Sequence, residues 1–258
     1  MKARLIRLLR RRSNAGRSAR LMARQLRWHQ RRLAAKWGAV GAVVAAITAG
    51  PLLGGGVVGS SVAALLAGAP VAVWVARRPT GAQRWLQGAE AEERTGRLLR
   101  PLERDGWLIK HDLGIKGSKA NLDHLAIHPS GKFAVYIDTK AWHSRGAVIR
   151  WDRKRLMYGR FDKTSSLRTV EWEASKAHEV LGIPVMSVVC IDGGNVKGAI
   201  VQNNHATPGP SGFLQIDDMH VVESEILVQT LESIRGGPHN PRALRHLARA
   251  VDHGLPQK

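Results

Sequence analysis

Apolar and polar positions along the chain follow three successive regimes. Trp37 to Ala76 is a run of forty residues without a charged side chain, interrupted by Gly50-Pro51 and Gly54-Gly55-Gly56. Proline and glycine break helices, so the run predicts a helical hairpin with arms of roughly 17–20 residues, each near the length of a membrane span. From about Arg84 to Glu103 the pattern turns helical. Trp85, Ala89, Glu92, Gly96 and Leu99 share one stripe, while Glu90, Glu93, Arg94, Arg97 and Arg100 lie mostly outside it. Glu92 is thus an acid on an inward face, where a carboxylate is costly unless paired, neutralised or bound to a cation. Beyond Gly106 the alternation has period two, the signature of strands.

The most informative stretch is Asn121–Lys140, NLDHLAIHPSGKFAVYIDTK. Its two alternating flanks and the Pro and Gly of His128–Lys132 predict a β-hairpin. With a loop of two or four residues, paired positions sum to 261, which places Asp123 opposite Asp138 with β-carbons roughly 5 Å apart. Like charges in that position repel, and a divalent cation between them would reverse the sign. Lys140 projects from the same face as Asp138. His124 falls on the opposite face from Asp123, which suits a structural histidine, and Trp142 and His143 follow the lysine as candidates to line a substrate groove.

The remaining elements are a strand at Gly106–Asp112 and a second hairpin, with Ala147–Trp151 and Leu156–Tyr158 around a basic tip at Asp152–Arg155. A helix follows at Thr169–Leu181, then a buried strand at Ile183–Ile191. Residues Gly193–Gly212 read as loop-rich with one short strand at Ala199–Gln202, and Val221–Val222 as a last strand. Helices at Glu223–Ile234 and Pro241–His253 close the domain. This succession predicts an α/β (α+β sandwich) fold. The expected organisation is a basic arm at 1–36, the helical hairpin at 37–76, a linker at 77–84, the main domain at 85–235, and a C-terminal helix and tail at 236–258.

Charge refines that division. The chain of 258 residues carries a net charge of +20, yet the first acidic residue is Glu90, and 16 of the 40 Lys/Arg precede it. The rest is close to neutral, so an ordinary globular domain follows a basic leader. Thirteen of those basic residues lie in 1–36, interspersed with leucines. They suit anionic headgroups or nucleic-acid phosphates equally. Arg31, Arg32 and Lys36 at one end of the uncharged run, and Arg77 and Arg78 at the other, place both ends in the cytoplasm by the positive-inside rule, giving a multi-pass protein of the cytoplasmic membrane. The single cysteine, Cys190, excludes an internal disulfide and ends an apolar run as a buried thiol would.

Gly88-Ala89-Glu90-Ala91-Glu92 on a helix, Asn121-Leu122-Asp123-His124 on a strand and Ile137-Asp138-Thr139-Lys140 on the next resemble, in order, the motifs of the NERD (nuclease-related domain) family. That family is part of the restriction-endonuclease-like PD-(D/E)xK superfamily, and the resemblance covers roughly Leu86–Leu231. It implies a central mixed β-sheet flanked by helices. It also implies Asp123, Asp138 and Glu92 as ligands of Mg²⁺ or Mn²⁺, with the Thr139 carbonyl as a further ligand. Lys140 would orient or deprotonate the attacking water. Asp138 stands where the family more often has Glu, and Ala91 where it commonly has Gly. The expected function is a membrane-anchored, metal-dependent nuclease acting on DNA, with membrane lipids as partners of residues 1–76. A homodimer is the arrangement a double-strand cut would call for. A catalytically inactive, membrane-tethered nucleic-acid-binding or scaffolding module has the same fold, and a lipid-binding role for residues 1–76 is a third reading.

Overall fold

The computed structural model describes residues 15–49, 52, 56–78, 81–143 and 146–257. The first fourteen residues of the basic arm, the breakers Gly50-Pro51 and Gly54-Gly55, and Pro79-Thr80 of the linker lie outside the described residues. The described residues form two compact units, one within 19–86 and one made of those within 1–18 and 87–258.

The smaller unit holds helices α1 (Arg17–Thr48) and α2 (Gly56–Ala76). Small residues let them approach closely: a β-carbon on Gly38 would lie 2.8 Å from that of Ala72, and one on Gly68 the same distance from that of Ala42. The Gln30 side-chain amide donates to the carbonyls of Val75, Ala76 and Arg78 at 2.6–3.1 Å, satisfying groups that a helix end leaves without partners. The expectation of two equivalent spans needs correction. Among the described helices only α2 is long and apolar enough to cross a membrane. The uncharged segment after Trp37 does not begin a helix of its own; it continues α1, whose residues up to Lys36 include seven of the arm's thirteen basic side chains.

In the larger unit, α3 (Ala82–Leu98) and α4 (Arg100–Arg104) precede the strands, with Pro101 in the first turn of α4. Strands β1 (Leu108–Gly114), β2 (Asn121–Ile127) and β3 (Ala134–Lys140) form an antiparallel meander. A small sheet follows, made of β4 (Val148–Asp152), β5 (Arg155–Tyr158), β6 (Phe161–Asp162) and, later, β8 (Asn195–Val196). Helix α5 (Thr164–Leu181) ends at Gly182, whose φ of +65° is the left-handed cap conformation that glycine adopts freely. Strand β7 (Val185–Ile191) pairs parallel to β3. Strands β9 (Ala199–Gln202), β10 (His205–Pro208), β11 (Phe213–Ile216) and β12 (Met219–Glu223) complete an eight-stranded mixed sheet in the order β1-β2-β3-β7-β12-β11-β9-β10. Helices α6 (Leu227–Glu232) and α7 (Pro241–Gly254) end the chain. Asn240 caps α7 by accepting from the Ala243 N–H at 3.1 Å.

The expected α/β architecture is therefore the observed one. Leu99, Leu102, Leu227 and Leu231 cover one face of the sheet, meeting Ala126, Val135, Ile137, Val188 and Cys190. On the other face Val170, Ala174 and Ala177 of α5 and Leu247 and Val251 of α7 meet Leu125, Ile127, Tyr136 and Val189. The region 193–212, expected to be mostly loop, contains β8 and β10 as well as β9. These strands are only two to four residues long and rich in turn formers, so their pattern is too short to show periodicity.

Candidate active site

The β2–β3 hairpin has the expected register, with His124↔Ile137, Leu125↔Tyr136, Ala126↔Val135 and Ile127↔Ala134. The turn closes on the His128 N–H, which donates to the Phe133 carbonyl at 3.1 Å, and the Gly131 N–H, which donates to the His128 carbonyl at 2.8 Å. Gly131 has φ +68°, and a β-carbon there would meet that of Ala243 at 2.6 Å, so conformation and space both call for glycine.

Beyond His124↔Ile137 the ladder gives way to side-chain chemistry. The Thr139 N–H donates to the Asp123 carboxylate at 2.9 Å. Lys140 Nζ donates to Asp138 Oδ1 at 2.8 Å, while Asp138 Oδ2 is buried and has no hydrogen-bond partner. Glu92 arrives from α3 with its carboxyl accepting from the Gly16 backbone N–H, and its Oε2 is likewise buried without a partner. Glu92, Asp123, Asp138 and Lys140 are thus gathered at one end of the sheet.

Electrostatics mark the same place. Burial, then the neighbouring charge of Asp112, pushes the Glu92 carboxyl up to about 7. Asp123 is raised well above the usual carboxylate range by burial and by the charges of Glu92 and Asp138. Burial works against the Lys140 ammonium, yet Asp138 and Asp123 raise it above an ordinary lysine.

Two features at this end of the sheet were not drawn from the sequence. Glu173 of α5 is buried and accepts from the Tyr136 hydroxyl at 2.7 Å. Burial pushes it up to about 7, and the Asp138 charge adds to the rise. It sits three residues after Val170 on the inward stripe of its helix, and an acid there was the available signal. Asp192, just past β7, accepts from Arg94 Nε at 2.9 Å and Nη2 at 2.5 Å. His143 Nε2 lies 3.5 Å from the same carboxylate, and the Asp192 N–H donates to the Lys140 carbonyl at 3.0 Å. No local pattern links Arg94 to Asp192, because the pair spans 98 positions.

Of the other candidates, Trp142 stacks on Tyr158 with ring centroids 5.2 Å apart, and His143 is exposed beside Asp192. His124 packs against His111, with Nδ1 atoms 2.7 Å apart, on the sheet face away from Asp138. The donor set of Glu92, Asp123 and Asp138 is chemically suited to a hard divalent cation, and the two orphaned carboxylate oxygens are the groups a cation would satisfy. Among the described residues no three of His, Cys, Asp and Glu already converge on one metal position.

No curated protein and no solved structure matches the chain. The family model of the nuclease-related domain matches residues 87–192, a span holding Glu92, Asp123, Asp138, Lys140, Glu173 and Asp192. The mixed sheet, the acid cluster at its end and this match agree, and residues 87–192 of the chain are a nuclease-related domain of the NERD family.

Proposed function

We propose that the chain is a metal-dependent nuclease that hydrolyses phosphodiester bonds of DNA and is anchored to a membrane through residues 37–76. The observation carrying this reading is the pair of buried, partnerless oxygens on Glu92 and Asp138 beside Lys140. A fold does not keep unsatisfied buried carboxylate oxygens for stability, since each forgoes a hydrogen bond it had in water.

Asp123, Asp138 and Glu92 would hold Mg²⁺ or Mn²⁺, with the Thr139 carbonyl as a further oxygen. When bound, the ion supplies Lewis-acid activation of water and neutralises charge on the phosphoryl oxygens. Lys140 holds its proton at neutral pH, so Nζ acts as a hydrogen-bond donor to the attacking water or the phosphoryl group rather than as a base. Glu92 Oε2, one of the two partnerless oxygens, would serve as a ligand of the ion and stay ionised beside it, so the proton the water loses would pass to solvent. Trp142 and His143, two and three residues past the lysine, would line a substrate groove.

Membrane anchorage is supported by α2 and by the exposed apolar side chains around it, among them Ile47, Val57, Val58, Leu65 and Leu66. Trp37 and Trp74 are exposed where interfacial indoles are expected, and Arg78 stacks 3.7 Å over Trp74. Arg77 and Arg78, at the end of α2 that leads into the nuclease-related domain, would mark that end as cytoplasmic by the positive-inside rule. A double-strand cut would further require two copies of the chain.

One observation favours a second reading, a catalytically silent, membrane-tethered nucleic-acid-binding or scaffolding module: among the described residues no ready three-ligand metal position exists. The full chain in neutral detergent, incubated with plasmid, linear and single-stranded DNA and with RNA plus Mg²⁺ or Mn²⁺, separates the two. The nuclease reading expects metal-dependent cleavage by wild type and none by Asp138→Ala or Lys140→Ala. Equal cleavage by all three proteins sinks the site assignment, and metal-independent binding without cleavage of any substrate establishes the silent module.

A further inference from the structure

Helix α7 lies outside the matched span, and nothing in the catalytic reading uses it. Its inward face is spent on the core: Leu247, Val251 and Leu255 are buried, and Leu244 and Ala250 pack against them. Its outward face is basic. Arg242, Arg245, His246, Arg249 and His253 are all exposed and recur at i, i+3, i+4, i+7 and i+11, which aligns them in one stripe. The lone acid of the helix, Asp252, is held by Lys110 at 2.8 Å. Arg242, Arg245 and Arg249 make no ion pair with a described residue.

The direction of the stripe is fixed by contacts at both ends. The Asn240 N–H donates to the Pro129 carbonyl at 2.8 Å, placing the start of α7 at the hairpin turn. Just beyond its end, Pro256 accepts from the Gly114 N–H at 2.6 Å, and Gly114 pairs with Asn121, the first residue of the strand carrying Asp123. The helix of 14 residues therefore runs about 21 Å from the turn toward the end of the sheet where the carboxylates gather.

We infer that the outward stripe Arg242–Arg245–Arg249, flanked by His246 and His253, is a phosphate-backbone track that holds a DNA duplex alongside the sheet on its way to the acid cluster. Like charges at helical spacing repel, and a polyanion laid along an uncompensated arginine row relieves that repulsion. Guanidinium groups bind phosphates bidentately, and about three of them neutralise about three phosphates. A bilayer is the poorer partner, because amphipathic helices bind membranes by burying an apolar face and that of α7 is already in the core. The choice of duplex DNA rests on the nuclease reading; the assignment of the surface does not.

The test is binding of the full chain in neutral detergent to a short fluorescein-labelled DNA duplex, without divalent metal, followed by anisotropy across a salt series. The triple variant Arg242→Gln/Arg245→Gln/Arg249→Gln should weaken binding on the order of a hundredfold at about 0.1 M salt and flatten the logarithmic salt slope by about 2–3. A control with the same charge change elsewhere, Arg153→Gln/Lys154→Gln/Lys197→Gln, should keep most of the affinity. Equal losses from both triples, or no loss from the first, overturn the inference. So does loss of binding to phosphatidylglycerol vesicles with DNA binding intact, which would assign the stripe to a membrane. Cleavage is not part of the readout: a chain that binds through α7 but cuts nothing keeps this inference and loses the nuclease, and one that cuts with unchanged binding does the reverse.

Discussion

Asp138 and Asp192 sit at the ends of neighbouring parallel strands, in line with the pairing Lys140↔Ile191, and are 4% and 6% exposed. Their surroundings differ. Asp192 takes a two-pronged contact from Arg94, with His143 beside it. Asp138 has Lys140 on one oxygen and nothing on the other. Desolvating a carboxylate is tolerable when its lone pairs are met, so Asp192 reads as a structural tie between α3 and the end of β7. An oxygen left bare by the same fold, a few residues away, reads as kept for something the fold does not contain.

The largest effect should come from truncating each acid in turn. Asp138→Ala is expected to lower metal-dependent plasmid cleavage by about a thousandfold or more while changing stability little, because the loss of the Lys140 ion pair is offset by relief of the repulsion Asp138 exerts on Asp123 and Glu92. Asp192→Ala should do the opposite, costing about 1–3 kcal/mol by urea denaturation and lowering cleavage by the folded protein less than about tenfold. Equal activity losses would erase the distinction. A second measurement needs no turnover: saturating Mg²⁺ or Mn²⁺, at about a hundred times its Kd, should stabilise wild type by about 2.7 kcal/mol. Asp138→Asn should abolish that gain and Asp192→Asn should retain it. A gain in both, or in neither, breaks the assignment.

Acidity provides a third lever. A carboxyl whose folded value is raised binds its proton more tightly when folded, so stability is greatest below the unfolded value and declines as pH rises toward the folded one. For Glu92 that window runs from about 4.5 to about 7, with a slope of about 1.4 kcal/mol per pH unit from this group. Metal-free protein should therefore lose stability between pH 5 and 7 in urea titrations, and Glu92→Gln should flatten the profile. A flat wild-type profile would refute the buried acid. The smallest effect is expected of Tyr136→Phe, about 1 kcal/mol, because it leaves Glu173 Oε2 without its donor. That hydrogen bond lowers the Glu173 carboxyl against the larger effect of burial, so its loss should raise the carboxyl further, as read by carbon NMR titration. A fall would place Glu173 in a different environment.

Much of the site was legible because its members are local. A hairpin carries its own register: the turn at His128–Lys132 and period-two alternation bring Asp123, Asp138 and Lys140 together, and the helical stripe points Glu92 inward. Arg94–Asp192 and Tyr136–Glu173 were not legible, since each joins elements far apart in the chain. The strands of 193–212 were too short to declare themselves. Helix α1 crosses the compositional boundary at Trp37 because a change from basic to uncharged side chains does not interrupt backbone hydrogen bonding, and residues from Arg17 onward run straight into the apolar segment.

The sequence alone determined what depends on neighbours within a few positions: the hairpin, the inward acid, the basic leader and the apolar span. Tertiary structure decided the rest. Parallel pairing of β3 with β7 requires a crossover through α5, and only that crossover sets a satisfied aspartate beside an unsatisfied one. Only the packing of α7 against α5 and the end of β1 turns its arginines outward and aims their row at the carboxylates. Periodicity tells which side of an element is buried; what it is buried against is fixed by contacts across the whole chain.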